Sequence, residues 1–185
     1  ERYKYAYPLY KILKDIIKVW KFNITKVLLN RDFLNTATVK ILSRTAQMLK
    51  GTPLVIGIEN IGFGTTTETD FKNILTKFKD SDKLGVVLDV GHLFIYSNYN
   101  KSFKSVEDFL LRFPYPVVNF HVSNNYGKKD LHQELCSGNL DYKRIFKIIK
   151  KMGYKGTVAL EIVGETLEKL EEGTVRSLNL IKENI

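Results

Sequence analysis

Five short, largely apolar runs in this chain each end in a residue with side-chain chemistry. Ile24–Leu29 ends at Asn30, Leu54–Ile58 at Glu59, Gly85–Leu88 at Asp89, Val117–Phe120 at His121 and Val158–Leu160 at Glu161. Runs of this length bounded by turn residues read as strands of a buried, parallel sheet. A buried strand does not favour an acid at its end, because an unpaired buried carboxylate is costly. The interval is close to 30 residues for the first three steps and longer for the last, where the polar loop Ser123–Asn139 is inserted.

Helix-period segments fill the intervals. Leu9, Ile12, Leu13, Ile16, Ile17 and Trp20 fall on one face of a helix over 9–20, with Lys11, Lys14, Asp15 and Lys18 opposite. Val39, Leu42, Ala46 and Leu49 mark a second helix, stopped by Gly51-Thr52-Pro53. Phe71, Ile74, Leu75 and Phe78 mark a third, and Ser105–Arg112 a fourth, with Ser105 and Asp108 placed as a capping box. Tyr142–Met152 buries Ile145, Phe146 and Ile149 and breaks at Gly153; a last helix over 165–183 carries Leu167, Leu170, Leu178 and Ile181.

Strict alternation of strand and helix argues for an α/β fold with a parallel sheet and helices outside. Regular βα units with polar strand ends are the pattern of a (β/α)₈ TIM barrel, whose active site lies at the C-terminal ends of the strands. Such barrels take about 250 residues. The 185 residues here, read as a single domain over 1–185, supply only about five C-terminal units. The expectation is that about three further units precede them or come from another chain, and a homo-oligomer is compatible with that.

The composition narrows the function classes. No segment is apolar for long enough to span a bilayer, and no signal peptide opens the chain. One cysteine, Cys136, excludes an internal disulfide framework and fits a cytoplasmic setting. The net charge of +9 would attract DNA or phosphates, but the lysines are scattered over helix faces.

Glu59, Asp89, His121 and Glu161, from four successive strand ends, make a mixed oxygen and nitrogen donor set. That set suits Mn²⁺, Zn²⁺, Co²⁺ or Mg²⁺. Gly91 would let the chain turn after Asp89 so that His92 faces the same space. By itself the Asp89/His92 pair would equally fit an acid capping the next turn beside a surface histidine. His92, Asp130 and His132 form a possible second metal site, with Asp130 and His132 two residues apart on one side of an extended segment. The chain's three histidines all fall within these sets.

Several motifs in this order resemble the xylose-isomerase-like TIM barrels, a superfamily of sugar isomerases and epimerases that also contains endonuclease IV. They are Ile56-Gly57-Ile58-Glu59-Asn60, Leu88-Asp89-Val90-Gly91-His92, and Asn119-Phe120-His121-Val122-Ser123-Asn124. Asp130-Leu131-His132, Gly138-Asn139-Leu140-Asp141 and Gly156–Glu161 complete the set, which covers residues 24–162. The resemblance implies that Glu59, Asp89, His121 and Glu161 hold a divalent metal, and that His92 and Asn124 bind substrate. In endonuclease IV, positions matching His92, Asp130 and His132 hold a further zinc. Asn30 stands where a zinc histidine of that branch would be, Asn124 replaces a common Asp, and Leu135-Cys136-Ser137-Gly138 departs from Leu-Gly-Glu-Gly.

The resemblance implies a divalent-metal-dependent sugar or sugar-phosphate isomerase or epimerase. In that reading Glu59 and Glu161 flank the reacting carbon, one removing and one returning a proton through an enediolate. An abasic-site DNA endonuclease is the alternative, and a non-catalytic barrel remnant that acts as a binding protein is the third reading.

Overall fold

A computed structural model describes residues 31–60, 68–99 and 104–185. The expected helix over 9–20, the strand over 24–29 and Asn30 lie outside them. The chain divides into two compact units, Glu1–Thr45 and Ala46–Ile185. The described elements are α1 (Arg31–Met48), β1 (Ile56–Glu59), α2 (Glu68–Lys77), β2 (Leu84–Asp89), α3 (Val90–Tyr99), α4 (Val106–Arg112), β3 (Val117–Val122), α5 (Tyr142–Lys151), β4 (Thr157–Leu160) and α6 (Leu167–Asn184).

The four described strands form one parallel sheet in sequence order, β1-β2-β3-β4. Parallel pairing sends every strand's C-terminus to the same edge, which gathers the polar strand ends expected from the sequence. Registers pair Glu59 with Val87, Asp89 with His121, and His121 with Ala159. Among the described residues β1 and β4 each have one strand neighbour, so this is an arc of a barrel. β1 starts at Ile56; Leu54 and Val55, expected in the strand, precede it and are exposed.

Alternation along the strands separates two faces. Val86, Leu88, Phe120 and Val122 turn outward and are fully or almost fully buried under helices, with Leu93, Leu110, Ile145, Phe146 and Ile149. Val87, Asp89, Asn119 and His121 turn the other way. The apolar stripe expected on α5 is buried as read, and Asp141 caps that helix by accepting from the Arg144 amide. Ser105 caps α4 through the Asp108 amide, while the Asp108 carboxylate pairs with Arg112, so only half of the expected box forms.

Two helices depart from the sequence expectation. α3 starts directly after Asp89, so Gly91 is helical and does not form a turn. Its lack of a side chain serves a close approach instead: a Cβ there would sit 2.8 Å from Ser123 Oγ and 3.1 Å from Ser123 O. On α6 the buried residues are Gly173 and Ser177, with Leu180 and Ile181 packed on the core, whereas Leu167 and Leu178 are exposed. Small residues let α6 lie close to the loop after β3, where the Ser177 hydroxyl accepts from the Leu135 amide at 3.0 Å.

The start of that loop is polar but interior. Ser123, Asn124 and Asn125 are essentially inaccessible. The Asn124 amide donates to the carbonyls of Leu135 and Leu140 and accepts from the amides of Asn125 and Leu140. Asn124 and Gln133 also exchange two backbone hydrogen bonds at 2.9 Å. Gly138, at φ +92, passes over this knot; a Cβ there would lie 2.5 Å from Asn124 Oδ1 and 2.7 Å from Asn125 O. Gly138→Ala should therefore destabilise the protein by more than about 1 kcal/mol, combining left-handed strain with steric overlap. Urea denaturation measures this, and an unchanged midpoint would contradict it.

Candidate metal centre

Each site residue is positioned by the end of a strand, by the first turn of α3 or by the loop after β3. Asp89, the last residue of β2, is also the residue from which α3 starts. Its Oδ1 accepts from the His92 amide at 2.7 Å, an N-cap geometry, while Oδ2 is buried with no hydrogen-bond partner. The acid thus caps the next helix with one oxygen and presents the other to the strand ends. His92 is not a surface residue: its side chain is 16% exposed and its Nδ1 is likewise buried and unpartnered.

The strand-end groups converge. His92 Nδ1 lies 3.6 Å from Asp89 Oδ2 and 3.7 Å from Glu59 Oε1. His121 Nδ1 lies 2.9 Å from Glu161 Oε1 and 3.7 Å from Glu59 Oε2, and it too has no hydrogen-bond partner of good geometry. Two overlapping donor sets result, Glu59/Asp89/His92 and Asp89/His121/Glu161; within each, the donor atoms lie within 4.8 Å of one another. The four residues expected in one site are brought together around Asp89, and His92 joins them.

The second expected set is also assembled. Asp130 Oδ2 lies 2.9 Å from His92 Nε2 and 3.0 Å from His132 Nε2. His132 holds a left-handed backbone, φ 46, fixed where its carbonyl accepts from Val163 N at 2.8 Å. Its Nδ1 is 3.0 Å from the Glu161 carbonyl, which can only accept, so Nδ1 carries a proton. Nε2 then faces the Asp130 carboxylate with a lone pair unless a second proton or a cation lies between them. His92 therefore belongs to both sets. Asn124, expected at the substrate, is buried beneath them with its amide engaged by the loop, and no polar group of it is left for a ligand.

The electrostatics are those of a cation site. Burial pushes the Asp89 carboxyl above its ordinary value; His92 pulls it down, and Glu59 and Asp130 add to the rise. For His132 burial acts downward, but the Glu161 carbonyl and the Asp130 carboxylate outweigh it, so its value is raised. Three inward-facing buried atoms without hydrogen bonds, namely Asp89 Oδ2, His92 Nδ1 and His121 Nδ1, sit beside two partly exposed glutamates. Orphaned buried donors of mixed oxygen and nitrogen type fit a divalent ion.

The same shifts set a pH dependence for the metal-free protein. Both groups bind a proton more tightly folded than unfolded, so each contributes stability below its unfolded value and loses it as pH rises through the folded one. The metal-free melting temperature should therefore climb as pH falls from about 8 towards about 5, and added Mn²⁺ should flatten or reverse the trend by displacing those protons. Thermal melts at both conditions check this; a metal-free optimum at the alkaline end would contradict it.

The sequence profile described as xylose isomerase-like TIM barrel matches residues 35–184. The chain belongs to that family. The chain is 24% identical over 173 residues to an uncharacterised protein of Methanocaldococcus jannaschii, an alignment covering 91% of this chain and 53% of that one. Among solved structures it is similar to a Rhodospirillum rubrum protein provisionally named a xylose isomerase, with TM-score 0.69 and 16% identity, covering 85% of this chain and 58% of that one. A D-allulose 3-epimerase from Methylomonas sp., solved with D-allulose, matches with TM-score 0.61 and 17% identity, covering 82% and 55%. A D-tagatose 3-epimerase-like protein matches with TM-score 0.58 and 19% identity, covering 89% and 59%. The chain thus spans little more than half the length of these relatives.

The sequence reading missed Asn60. It lies one residue past the end of β1, is buried, and bonds the backbone of Asp89 twice. Its signal is an amide placed directly after a strand-end acid. Asn119 was missed as well: on the inward face of β3 two residues before His121, its Oδ1 is buried and unpartnered.

Proposed function

We propose that this chain carries the catalytic half-site of a divalent-metal-dependent sugar or sugar-phosphate isomerase or epimerase. The observation that carries the reading is the placement of the two glutamates: Glu59 Oε2 and Glu161 Oε1 approach the same nitrogen, His121 Nδ1, at 3.7 and 2.9 Å. Two carboxylates that approach one point from different strand ends supply the pair of groups that proton removal and return at one carbon atom needs. The neighbouring structures named as epimerases support the same class.

Glu59, Asp89, His121 and Glu161 would hold the ion, with Mn²⁺ or Zn²⁺ favoured by the mixed donor set. When bound, a divalent cation supplies a positive charge that offsets negative charge developing on a carbonyl oxygen. The chain's own residues do the rest. One glutamate takes the proton from the carbon next to the carbonyl, and the C–H electron pair moves into a new C–C double bond as the carbonyl oxygen gains charge. The other glutamate returns a proton, to the opposite face in an epimerisation, or to the neighbouring carbon in an isomerisation, in which the hydroxyl proton of the first carbon also passes to the former carbonyl oxygen. Their side chains are 23% and 35% exposed, open enough for substrate to reach. His92, bonded through Nε2 to Asp130, orients a substrate oxygen.

A second reading, cleavage of DNA at abasic sites, is favoured by one observation: the assembled His92/Asp130/His132 set, which offers donors for another ion. One experiment separates the two. Mn²⁺-loaded protein is incubated with a panel of ketoses and ketose phosphates in D₂O, and separately with an abasic-site duplex. Deuterium should enter the carbon beside the carbonyl of at least one sugar. Metal-dependent incision of the duplex with no sugar exchange would replace the first reading with the second.

A further inference from the structure

We infer that Asn60 is the positioning residue that holds Asp89 in register with Glu59, so that the carboxylates of two neighbouring strands meet at one point. The inference rests on the proposed site and adds to it a residue that touches neither metal nor substrate.

The ladder between β1 and β2 ends at the pair Glu59 and Val87. Asp89 lies two residues further along β2. A strand residue's N–H and C=O point to the same neighbour, so on the β1 side Asp89 has reached past the last backbone partner. Asn60 supplies what the strand no longer does. Its Oδ1 accepts from Asp89 N at 2.7 Å and its Nδ2 donates to Asp89 O at 3.0 Å. One primary amide therefore imitates a backbone pair, and it does so while only 2% exposed.

The consequence reaches the site because the amide follows Glu59 directly in the chain. Fixing Asn60 to Asp89 fixes the ends of two strands against each other at the residues whose carboxylates converge on His92 Nδ1, at 3.7 and 3.6 Å. Asp89 is held on its other flank by the register with His121. Its carboxylate is buried, with Oδ2 unpartnered and Oδ1 committed to the His92 amide of α3. Such a group stays in place only if its backbone cannot yield. The β1–β2 ladder has already ended at Glu59 and Val87, so once the clamp is cut no backbone bond on the β1 side keeps Asp89 in register with Glu59.

Calorimetric titration with Mn²⁺ and crystal structures of variants test this. Asn60→Ala should weaken Mn²⁺ binding by about tenfold to a hundredfold, the range for residues that orient ligands. Asn60→Asp, which retains the acceptor for Asp89 N–H but loses the donor, serves where the alanine variant does not fold, and should also bind more weakly than wild type. Ser177→Ala is the control: it also removes a buried hydrogen bond, to the Leu135 amide on another element, and should lower the melting temperature with Mn²⁺ affinity within about twofold of wild type. Wild-type affinity in both Asn60 variants, or an equal loss in Ser177→Ala, would overturn the inference. If wild-type protein binds no divalent ion, the site reading falls on its own. The positioning role is then decided by the metal-free crystal structure of Asn60→Ala. An Asp89 carboxylate displaced from Glu59, with the strands still paired, upholds it; one left in place overturns it.

Discussion

Glu161→Gln should lower turnover of the responding sugar by about a hundredfold to ten-thousandfold, the usual worth of a general acid or base. The amide has the shape of the acid but cannot carry the proton. The side chain stands at the open edge of the site, 35% exposed, so the fold has little to lose from the change. Its carboxylate neighbour Glu59 lies across His121 and keeps its own function, so one half-reaction should survive. Deuterium exchange is the sensitive readout: the variant should exchange at one face of the carbon faster than it forms product. A melting temperature within a few degrees of wild type and wild-type Mn²⁺ occupancy under the assay conditions, both measured alongside, would show that the loss is chemical. Turnover near the wild-type rate would remove Glu161 from the mechanism.

Asp89→Asn should move stability and metal binding in opposite directions. Asparagine caps helices as well as aspartate does, so the bond from the His92 amide can be kept. What disappears is a buried charge whose unpaired Oδ2 faces other carboxylates. The metal-free variant should therefore melt at or above the wild-type temperature near neutral pH. Mn²⁺ affinity should fall by more than about a hundredfold, beyond what the loss of a supporting residue costs. Thermal melts with and without Mn²⁺ read both effects in one experiment. A destabilised metal-free variant would contradict the reading of Asp89 as a buried charge that costs stability without the ion.

The strand ends were legible because a parallel sheet writes itself as apolar runs of strand length, and an acid or histidine closing such a run stands out against its surroundings. Glu59, Asp89, His121 and Glu161 share one edge for that reason. Helix α5 was legible through its single apolar stripe. Helix α3 was not: Val90–Tyr99 mixes aromatic, β-branched and small residues without a clear period, although Asp89 was legible as a cap for the turn that follows β2. The buried face of α6 was misplaced because Gly173 and Ser177 carry little hydrophobic signal, and their value lies in the close approach they permit. Ser123, Asn124 and Asn125 read only as the start of a polar loop, with Asn124 expected at the substrate; their interior place was not legible, since polar residues are interior only when every amide finds a partner, and those partners are up to 34 residues away in sequence. The same distance hid Asn60, whose bonds to Asp89 span 29 residues.

The central claim is that the ends of four strands form one divalent-ion centre. Anomalous diffraction from a crystal soaked in Mn²⁺, recorded at the manganese absorption edge, tests it most directly. The account predicts a strong peak about 2.0–2.4 Å from carboxylate oxygens of Glu59, Asp89 and Glu161 and from a ring nitrogen of His121. No peak among these residues, or a single peak held by His92, Asp130 and His132 alone, would contradict it.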